Sequence, residues 1–300
     1  MNLDRRRIAV LAAALSEDPR EASRFARGAG FAGVVFDAYS PQLGLPELSV
    51  SGRRDFRRML AAQEEELAAL RVEIGPKGLS LGADVDRILA RVERAMEAAD
   101  GLGCRLICID LGPLPEPART VAPKPALTQQ QAGLIILPEA TIAPAPAAQA
   151  VVMPLDATAA AQVDSALIEL GRRADRYGVT FAFHSELASF AALERALKAA
   201  DCPLFAVDLD PVSLLRDEWD IDRVFSRLGT VVGHVRARDA IVGNDRRTRP
   251  AQIGQGSTNW GELFSAIDAA GFSGWITIDP MELTNRTAAA TGALKWLRDL

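Results

Sequence analysis

The sequence predicts a (β/α)₈ barrel, an α/β fold in which eight parallel strands alternate with helices. Short apolar runs alternate with amphipathic segments along most of the 300 residues. Eight such strand–helix units can be placed, and the chain has no glycine fingerprint of a doubly wound nucleotide-binding sheet. Barrels of this size commonly form one domain, so we assign residues 1–300 to a single barrel.

The first half of the chain supplies four units. The apolar run at 8–15 is the first strand. Asp18 and Pro19 then open a helix that closes near Gly28 and Gly30, because Asp caps a helix N-terminus and Pro suits its first turn. The next predicted elements are a strand at 33–40, a charged helix at 51–70, a strand at 70–78, a helix at 84–100 and a strand at 105–112.

Residues 113–160 interrupt this alternation after the fourth strand. They are rich in Pro and Ala and contain one apolar piece, at 132–140. A connection this long in a barrel is usually functional or disordered. Two interpretations stay open for this insertion: a partly ordered lid over the barrel mouth, with a short strand at 133–137, or a flexible insert.

The second half restores the alternation. The pattern predicts helices at 161–178, 189–201, 220–228, 261–270 and 287–300. It predicts strands at 179–186, 203–211, 231–239 and 274–280. Trp260 and Trp275 fall where core packing is expected.

Composition limits the classes of binding partner and the cellular compartment that we expect for this protein. The formal charge of −5 comes from 34 basic and 39 acidic residues, which argues against a nucleic-acid surface. The apolar run after Arg5–Arg7 closes at the charged segment 16–20, too early for an export signal, and no run approaches the ~20 residues of a membrane span. We expect a cytoplasmic protein with no membrane partner, and a homo-oligomer stays open.

Three cysteines, Cys104, Cys108 and Cys202, form no paired framework and fit a reducing compartment. Cys104 and Cys108 have metal-like spacing only on a helix. Because their segment is predicted as a strand, we interpret them as buried structural thiols.

Polar residues collect where the predicted strands end. Residues two apart on a strand share a face, and a barrel brings the C-terminal ends of its strands to one mouth. Burying so many charges is costly without a purpose. The residues concerned are Asp37, Asp110, His184 with Glu186, Asp208 with Asp210, His234 with Arg236 and Arg238, and Asp279.

The arginines of this region allow two interpretations. Arg236 and Arg238, with Arg246, Arg247 and Arg249 on the following loop, could clamp a phosphate or carboxylate by paired hydrogen bonds. Alternatively, the strand arginines pair with Asp208, Asp210 or Asp239, and the loop arginines are solvated. Gly254 and Gly256 suggest a tight turn before the next helix more than a phosphate loop.

Four segments carry a resemblance to a known family. They are VTFAFHSE at 179–186, FAVDLDP at 205–211, HVRARDA at 234–240 and the glycine-rich loop, helix and strand at 254–279. The chain resembles the xylose isomerase-like barrel superfamily over most of its length. That superfamily includes sugar isomerases, sugar epimerases, inosose dehydratases and apurinic endonucleases of the endonuclease IV type.

The resemblance implies a divalent metal, Mn, Mg or Zn, held by a Glu, an Asp, a His and a second Glu. Matched residue by residue, these positions are His184, Asp210, Arg236 and Asp279 in this chain. Asp279 could still bind a divalent ion and His184 a softer one. Arg236 cannot, because its guanidinium stays protonated and has no lone pair to donate.

Three outcomes stay open at this point. A metal could be held by a shifted set such as Glu186, Asp210, His234 and Asp279. The enzyme could lack a metal and use Arg236 to stabilise an oxyanion. The barrel could also bind a small anionic carbohydrate-like ligand without catalysis.

The resemblance implies a sugar or sugar-phosphate isomerase or epimerase of carbohydrate metabolism that transfers a proton next to a carbonyl. Glu186 and Asp279 would exchange the proton, and Arg236 or a metal on Asp210, Asp279 and Glu186 would stabilise the enediolate. An apurinic endonuclease fits poorly, because its zinc cluster needs many histidines and this chain has 2. The expected substrate contacts are His184, Arg238, His234, Asp37, Asp110 and Arg246.

Overall fold

Eight parallel strands close into a ring in the computed structural model, which describes residues 7–121, 151–243 and 247–300. The ring strands are β1 (Arg7–Leu11), β2 (Gly33–Asp37), β3 (Glu66–Val72), β4 (Leu106–Asp110), β7 (Thr180–His184), β8 (Phe205–Leu209), β9 (Val232–Ala237) and β12 (Trp275–Ile278). Around the ring their order is β1-β12-β9-β8-β7-β4-β3-β2. The remaining strands form two antiparallel pairs, β5 (Arg119–Val121) with β6 (Val151–Met153) and β10 (Asp239–Val242) with β11 (Thr248–Ala251). The predicted (β/α)₈ barrel is confirmed.

Nine helices occur within the described ranges, and each begins after a residue whose side chain accepts a hydrogen bond from the first turn. They are α1 (Pro19–Ala29), α2 (Val50–Ala62), α3 (Val85–Leu102), α4 (Ala157–Tyr177), α5 (Phe190–Ala200), α6 (Pro211–Asp217), α7 (Ile221–Leu228), α8 (Trp260–Ala269) and α9 (Arg286–Asp299). The capping residues are Asp18, Ser49, Asp84, Asp156, Ser189, Asp210, Asp220, Asn259 and Asn285. Such caps satisfy backbone N–H groups that the helix itself leaves unpaired. The predicted cap at Asp18 is confirmed. Among the described residues, no helix is long and apolar enough to cross a bilayer.

Alternation along the strands divides the core into two layers. Ile8 and Val10 belong to a large cluster that also contains the buried faces of the helices. Ala9 and Leu11 belong instead to a small cluster with Cys108 and Trp275, which lies inside the ring. The inner layer is made largely of small residues, so it leaves room for polar side chains at the mouth.

The predicted helix at 51–70 is wrong in its second half. Helix α2 ends at Ala62, and Leu67 and Leu70, which seemed to continue its apolar spacing, lie in β3. The chain reverses at Glu64, which has a positive φ of 53° although it is not glycine. No glycine or proline marks this turn in the sequence, and pairing of β3 with β2 and β4 overrides the helical spacing.

The insertion at 113–160 is described only at its ends. Strands β5 and β6 pair in an antiparallel manner there, and α4 begins soon after β6. The strand predicted at 133–137 lies outside the described residues, and the lid stays a prediction.

Glu65, just before β3, is a buried acid without a partner. The residue is 6% exposed, and neither carboxylate oxygen has a hydrogen-bond partner among the described residues. Burial raises the pKa of Glu65 to about 7, although the nearby Arg27 opposes the shift. Because the folded pKa lies above the unfolded one, the folded state loses stability as pH rises from about 4.5 to about 7.

We expect Glu65→Gln to stabilise the protein above pH 8 by on the order of 1 kcal/mol, since it removes a buried charge without a partner. Near pH 4 the two proteins should unfold alike, because Glu65 is then protonated in both states. Urea unfolding at pH 4, 6 and 8 measures the difference. Glu64→Gln at the exposed neighbouring position is the control, and an equal gain at pH 4 would contradict this account.

Candidate functional site

Strand register places the polar residues of the mouth opposite one another. The pairing of β8 with β9 shifts after Val207, so that Asp208 lies beside His234. The shift falls at Gly233, where an added Cβ would lie 2.5 Å from the Cβ of Ala206. Glycine is therefore required for the register that joins Asp208 to His234.

Asp208 is the centre of a buried network inside the ring. It is 0% exposed and accepts hydrogen bonds from Arg236 through Nη2 at 2.7 Å and Nε at 3.1 Å. Its other oxygen lies 2.6 Å from Nδ1 of His234, whose Nε2 lies 2.7 Å from the hydroxyl of Thr277. Both nitrogens of His234 are thus engaged.

The charges of this network stabilise one another. Burial opposes the ionised form of Asp208, but Arg236 and His234 outweigh it and hold its pKa well below the usual range. Burial likewise opposes the charge of His234, yet Cys108 and Asp208 beside it raise its pKa to about 10. The pKa of Arg236 is raised in the same way by Asp208 and Asp279, so the guanidinium is a permanent charge.

Arg238 forms an ion pair with Asp210, the carboxylate that follows β8. It donates to Oδ2 of Asp210 and, through Nη1, to Glu186 at 2.8 Å. The other oxygen of Asp210 accepts the N–H of Val212 at 3.0 Å as the cap of α6. Both oxygens of Asp210 are therefore already engaged.

A third arginine, Arg71, connects two sides of the mouth. It lies opposite Asp37 in the β2–β3 register and donates to both oxygens of that carboxylate. Its Nη1 is 3.8 Å from Oδ2 of Asp279, which is too long for a hydrogen bond. Arg71 thus keeps one edge of its guanidinium facing the open space at the mouth.

These residues surround a cavity of about 500 Å³ at the C-terminal ends of the strands, which we call the mouth cavity. Asp110 ends β4 and Asp279 follows β12, and these strands are four places apart in either direction around the ring. The two carboxyl groups therefore face the cavity from opposite walls. The charged lining residues are Arg71, Glu73, Asp110, Glu186, Arg236, Arg238, Asp279 and Glu282.

His184 and Asp110 lie beside Glu186 on one wall. Ligand atoms of these three residues all fall within 4.8 Å of one another, so they are one candidate group for a metal, and Cys108, Asp208 and His234 are another. Burial and the nearby Arg236 lower the pKa of His184 well below its usual value, so the imidazole is neutral. Its Nε2 is buried and has no hydrogen-bond partner in the described residues. Burial also raises the pKa of Asp110.

Comparison with known proteins identifies the family. A family model described as "Xylose isomerase-like TIM barrel" matches residues 23–300. The chain belongs to this family. A comparison with curated proteins found no match.

Solved structures of this fold superpose over nearly the whole chain. A xylose isomerase domain protein from Planctomyces limnophilus has a TM-score of 0.69 at 14% identity, with 98% of this chain and 96% of that chain covered. A 3-keto-D-glucoside 4-epimerase from E. coli has 0.68 at 17%, covering 98% and 100%. A D-psicose 3-epimerase from Clostridium cellulolyticum H10, solved with D-tagatose, has 0.69 at 13%, covering 98% and 98%. At such identities the likeness establishes the fold.

Two of the four metal positions implied by the family do not fit a metal in this chain. Arg236 places a permanent positive charge where a histidine ligand is expected. Asp210, the one unchanged ligand, gives its two oxygens to Arg238 and to the backbone of α6. The alternative ligand set that includes His234 meets a similar obstacle. Both ring nitrogens of His234 are already hydrogen-bonded, to Asp208 and to Thr277.

The structure brings most of the residues singled out in the sequence to the mouth. Asp110, Glu186, Arg236, Arg238 and Asp279 line the mouth cavity. His184 lies at its wall within 3.7 Å of Asp210, and Asp37 lies behind Arg71. His234 lies beneath the cavity, where it holds Asp208. Arg246 is outside the described residues.

The strand arginines form ion pairs within the protein, and the glycine loop forms a turn. Arg236 pairs with Asp208 and Arg238 with Asp210, as one of the two hypotheses expected. Asp239 instead accepts the N–H groups of Gly254 and Gly256 at 3.0 and 3.1 Å, which confirms the tight turn before α8. Arg249 lies in β11 and does not line the mouth cavity.

Sequence reasoning missed Arg71, Glu282 and the place of Cys108. A charged residue inside the apolar strand segment 70–78 is a signal that could have identified Arg71. Cys108 shares a face with Asp110, two residues on, so it lies inside the ring beside His234. Nothing in the pattern around Glu282 marks its approach to Arg238 at 3.6 Å.

We expect Asp208→Asn to destabilise the protein by roughly 3–5 kcal/mol, because it leaves the buried charges of Arg236 and His234 without their shared carboxylate. Guanidinium chloride unfolding at pH 7 measures the loss. The control is Asp55→Asn, which breaks the exposed pair with Arg58 and should change stability by less than about 0.5 kcal/mol. Similar losses in the two variants would show that Asp208 does not anchor the network.

Proposed function

We propose that this protein is a sugar isomerase or epimerase that moves a proton next to a carbonyl and uses Arg236 where relatives are expected to hold a metal. One observation carries the proposal. A permanently charged guanidinium, fixed by Asp208, faces a cavity that has carboxyl groups on opposite walls. The family and the fold of the epimerases that superpose on the chain support the same reaction class.

Arg236 has the properties required of an oxyanion stabiliser. Two of its nitrogens, Nε and Nη2, donate to Asp208, and among the described residues no hydrogen bond uses Nη1. The side chain is 10% exposed and lines the mouth cavity. A donor that is already oriented and shielded from water stabilises developing negative charge without reorganising. In the proposal, Nη1 donates to the substrate carbonyl oxygen as the enediolate forms.

The proton transfer falls to the carboxyl groups. Asp279, on the β12 wall, removes the proton from the carbon next to the carbonyl, and the electron pair moves to the oxygen held by Arg236. A carboxyl on the opposite wall, Glu186 or Asp110, returns a proton to the other face for epimerisation. The raised pKa of Asp110 favours its protonated form, which suits a donor. Return of the proton to the former carbonyl carbon, with transfer of the neighbouring hydroxyl proton to the oxygen held by Arg236, gives isomerisation.

The test is proton exchange with solvent. Chelator-treated protein is incubated in deuterium oxide with a panel of aldoses and ketoses that includes D-tagatose, and NMR follows loss of the proton next to the carbonyl. We expect exchange that a chelator does not reduce. Asp279→Asn should slow it by about 10²–10⁴-fold and Arg236→Gln by about 10²–10³-fold, because they remove the base and the oxyanion donor.

Glu262→Gln is the control, since Glu262 lies on α8 away from the cavity and should leave exchange unchanged. Circular dichroism checks that the variants are folded. The proposal fails if exchange depends on added manganese, magnesium or zinc and Arg236→Gln has no effect.

A non-catalytic barrel is the second candidate, and one observation favours it. Each of the three mouth arginines already has a carboxylate partner: Arg71 has Asp37, Arg236 has Asp208 and Arg238 has Asp210. A site whose charges are satisfied internally is also suited to holding a ligand without turnover. Sugars that raise the melting temperature but exchange no proton would identify this function.

A further inference from the structure

A second cavity opens beside the mouth cavity, on the side of β1 and β2. It has a volume of about 420 Å³, and we call it the side cavity. Arg71, Glu73 and Met281 line both cavities, so the two spaces adjoin along these residues. Each volume lies within the roughly 300–1,000 Å³ of small-molecule sites. The reaction proposed above uses the mouth cavity alone, which leaves the side cavity without a role.

We propose that the side cavity binds the second, uncharged and hydroxylated ring of a two-ring substrate, such as a disaccharide with a free reducing end. The ring that reacts would lie in the mouth cavity. The inference rests on the proposed function only for the reaction at that ring.

The charges of the side cavity argue for an uncharged occupant. Its lining holds as many carboxyl groups, Glu17, Asp37 and Glu73, as guanidinium groups. The guanidinium groups are also engaged within the protein. Arg71 donates to Asp37, Arg91 donates to the carbonyl oxygen of Glu73 at 3.0 Å, and Arg286 donates to the carbonyl oxygen of Met281 at 3.2 Å. Arg91 and Arg286 donate to neutral carbonyl oxygens and keep their charge, but a phosphate near them would also meet Glu17 and Glu73. The balanced lining therefore favours an uncharged ring.

The remaining lining suits a sugar ring. Ser40 and Gln42 supply a hydroxyl and an amide that can exchange hydrogen bonds with hydroxyl groups. Tyr39 and Met281 supply apolar surface for the C–H face of a ring. Tyr39 is held in place, because its hydroxyl donates to the carbonyl of Arg91 and the guanidinium of Arg91 lies 3.5 Å over its ring. The cavity wall is therefore preorganised.

Arg71 lies where the two rings would join. It lines both cavities, and its Nη1 is 3.8 Å from Asp279, too far to be used in a hydrogen bond there. That nitrogen can donate to the oxygen that links the two rings. Asp37 holds the other edge of Arg71, which fixes the position of this donor.

Ala13 offers a way to fill the side cavity alone. It is an exposed residue of the 3₁₀ turn Ala12–Ala14, and it lines the side cavity but not the mouth cavity. Ala13→Trp should therefore block the second ring and leave the first site open. The matched control is Ala61→Trp at an exposed position of α2, away from both cavities.

The experiment compares binding of matched sugars by isothermal titration calorimetry. The probes are D-glucose with cellobiose and methyl β-D-glucoside, D-galactose with lactose, D-fructose with sucrose, and glucose 6-phosphate. We expect at least one disaccharide to bind about tenfold or more tightly than both of its component monosaccharides. Ala13→Trp should remove that gain and leave monosaccharide binding within about twofold, whereas Ala61→Trp should change neither.

Three results would overturn the inference. The first is that no disaccharide binds more tightly than its component monosaccharides. The second is that Ala13→Trp weakens the binding of both kinds of sugar equally, and the third is that glucose 6-phosphate binds most tightly of all the probes. Deuterium exchange in the same samples separates this inference from the proposed function. A reducing disaccharide, cellobiose or lactose, that binds with the expected pattern and exchanges no proton supports the side cavity and refutes the isomerase. Sucrose has no free carbonyl and tests binding alone. Monosaccharides that exchange at full rate in Ala13→Trp, with no gain from a second ring, do the reverse.

Discussion

The carboxylate of Asp208 is the contact on which the mouth of this barrel depends. It lies fully buried and takes hydrogen bonds from Arg236 and from His234. A buried arginine without a partner would cost several kcal/mol, so the charge of Arg236 can exist at this depth only because Asp208 is ionised beside it. The register shift at Gly233 creates this contact, and Thr277 closes it by bonding the far nitrogen of His234.

The same device recurs around the mouth. Arg238 is held by Asp210 and Arg71 by Asp37, in each case between neighbouring strands of the ring or the loops that follow them. Fixed ion pairs hold the guanidinium groups in place, and charges held in this way stabilise developing charge without reorganising. Asp110 and Asp279 stay on opposite walls of the cavity between these pairs. The proposed reaction requires fixed positive charge and two carboxyl groups on opposite sides of the substrate, and this arrangement supplies both.

Arg236 at a metal position and the side cavity both favour a substrate that is held in one orientation. A metal in a sugar isomerase supplies charge at one place, whereas a guanidinium held by Asp208 supplies charge together with hydrogen-bond donors that point in fixed directions. Direction matters more when a substrate is anchored at two places, because its reacting carbon then arrives in one orientation. Arg71 links the two spaces through its ion pair with Asp37. The mouth is thus better described as a cleft made of two adjoining cavities than as one pocket.

Local pattern in the sequence determined the eight strands, the helix start at Asp18 and the gathering of polar residues at strand ends, because periodicity and capping depend on near neighbours. It failed at 51–70, where Leu67 and Leu70 keep helical spacing but pair as a strand. Only the tertiary structure decided which charges meet. Shifts by one residue at Val34/Val35 and after Val207 set Arg71 against Asp37 and His234 against Asp208. Such shifts depend on how distant strands pack, which no local pattern records.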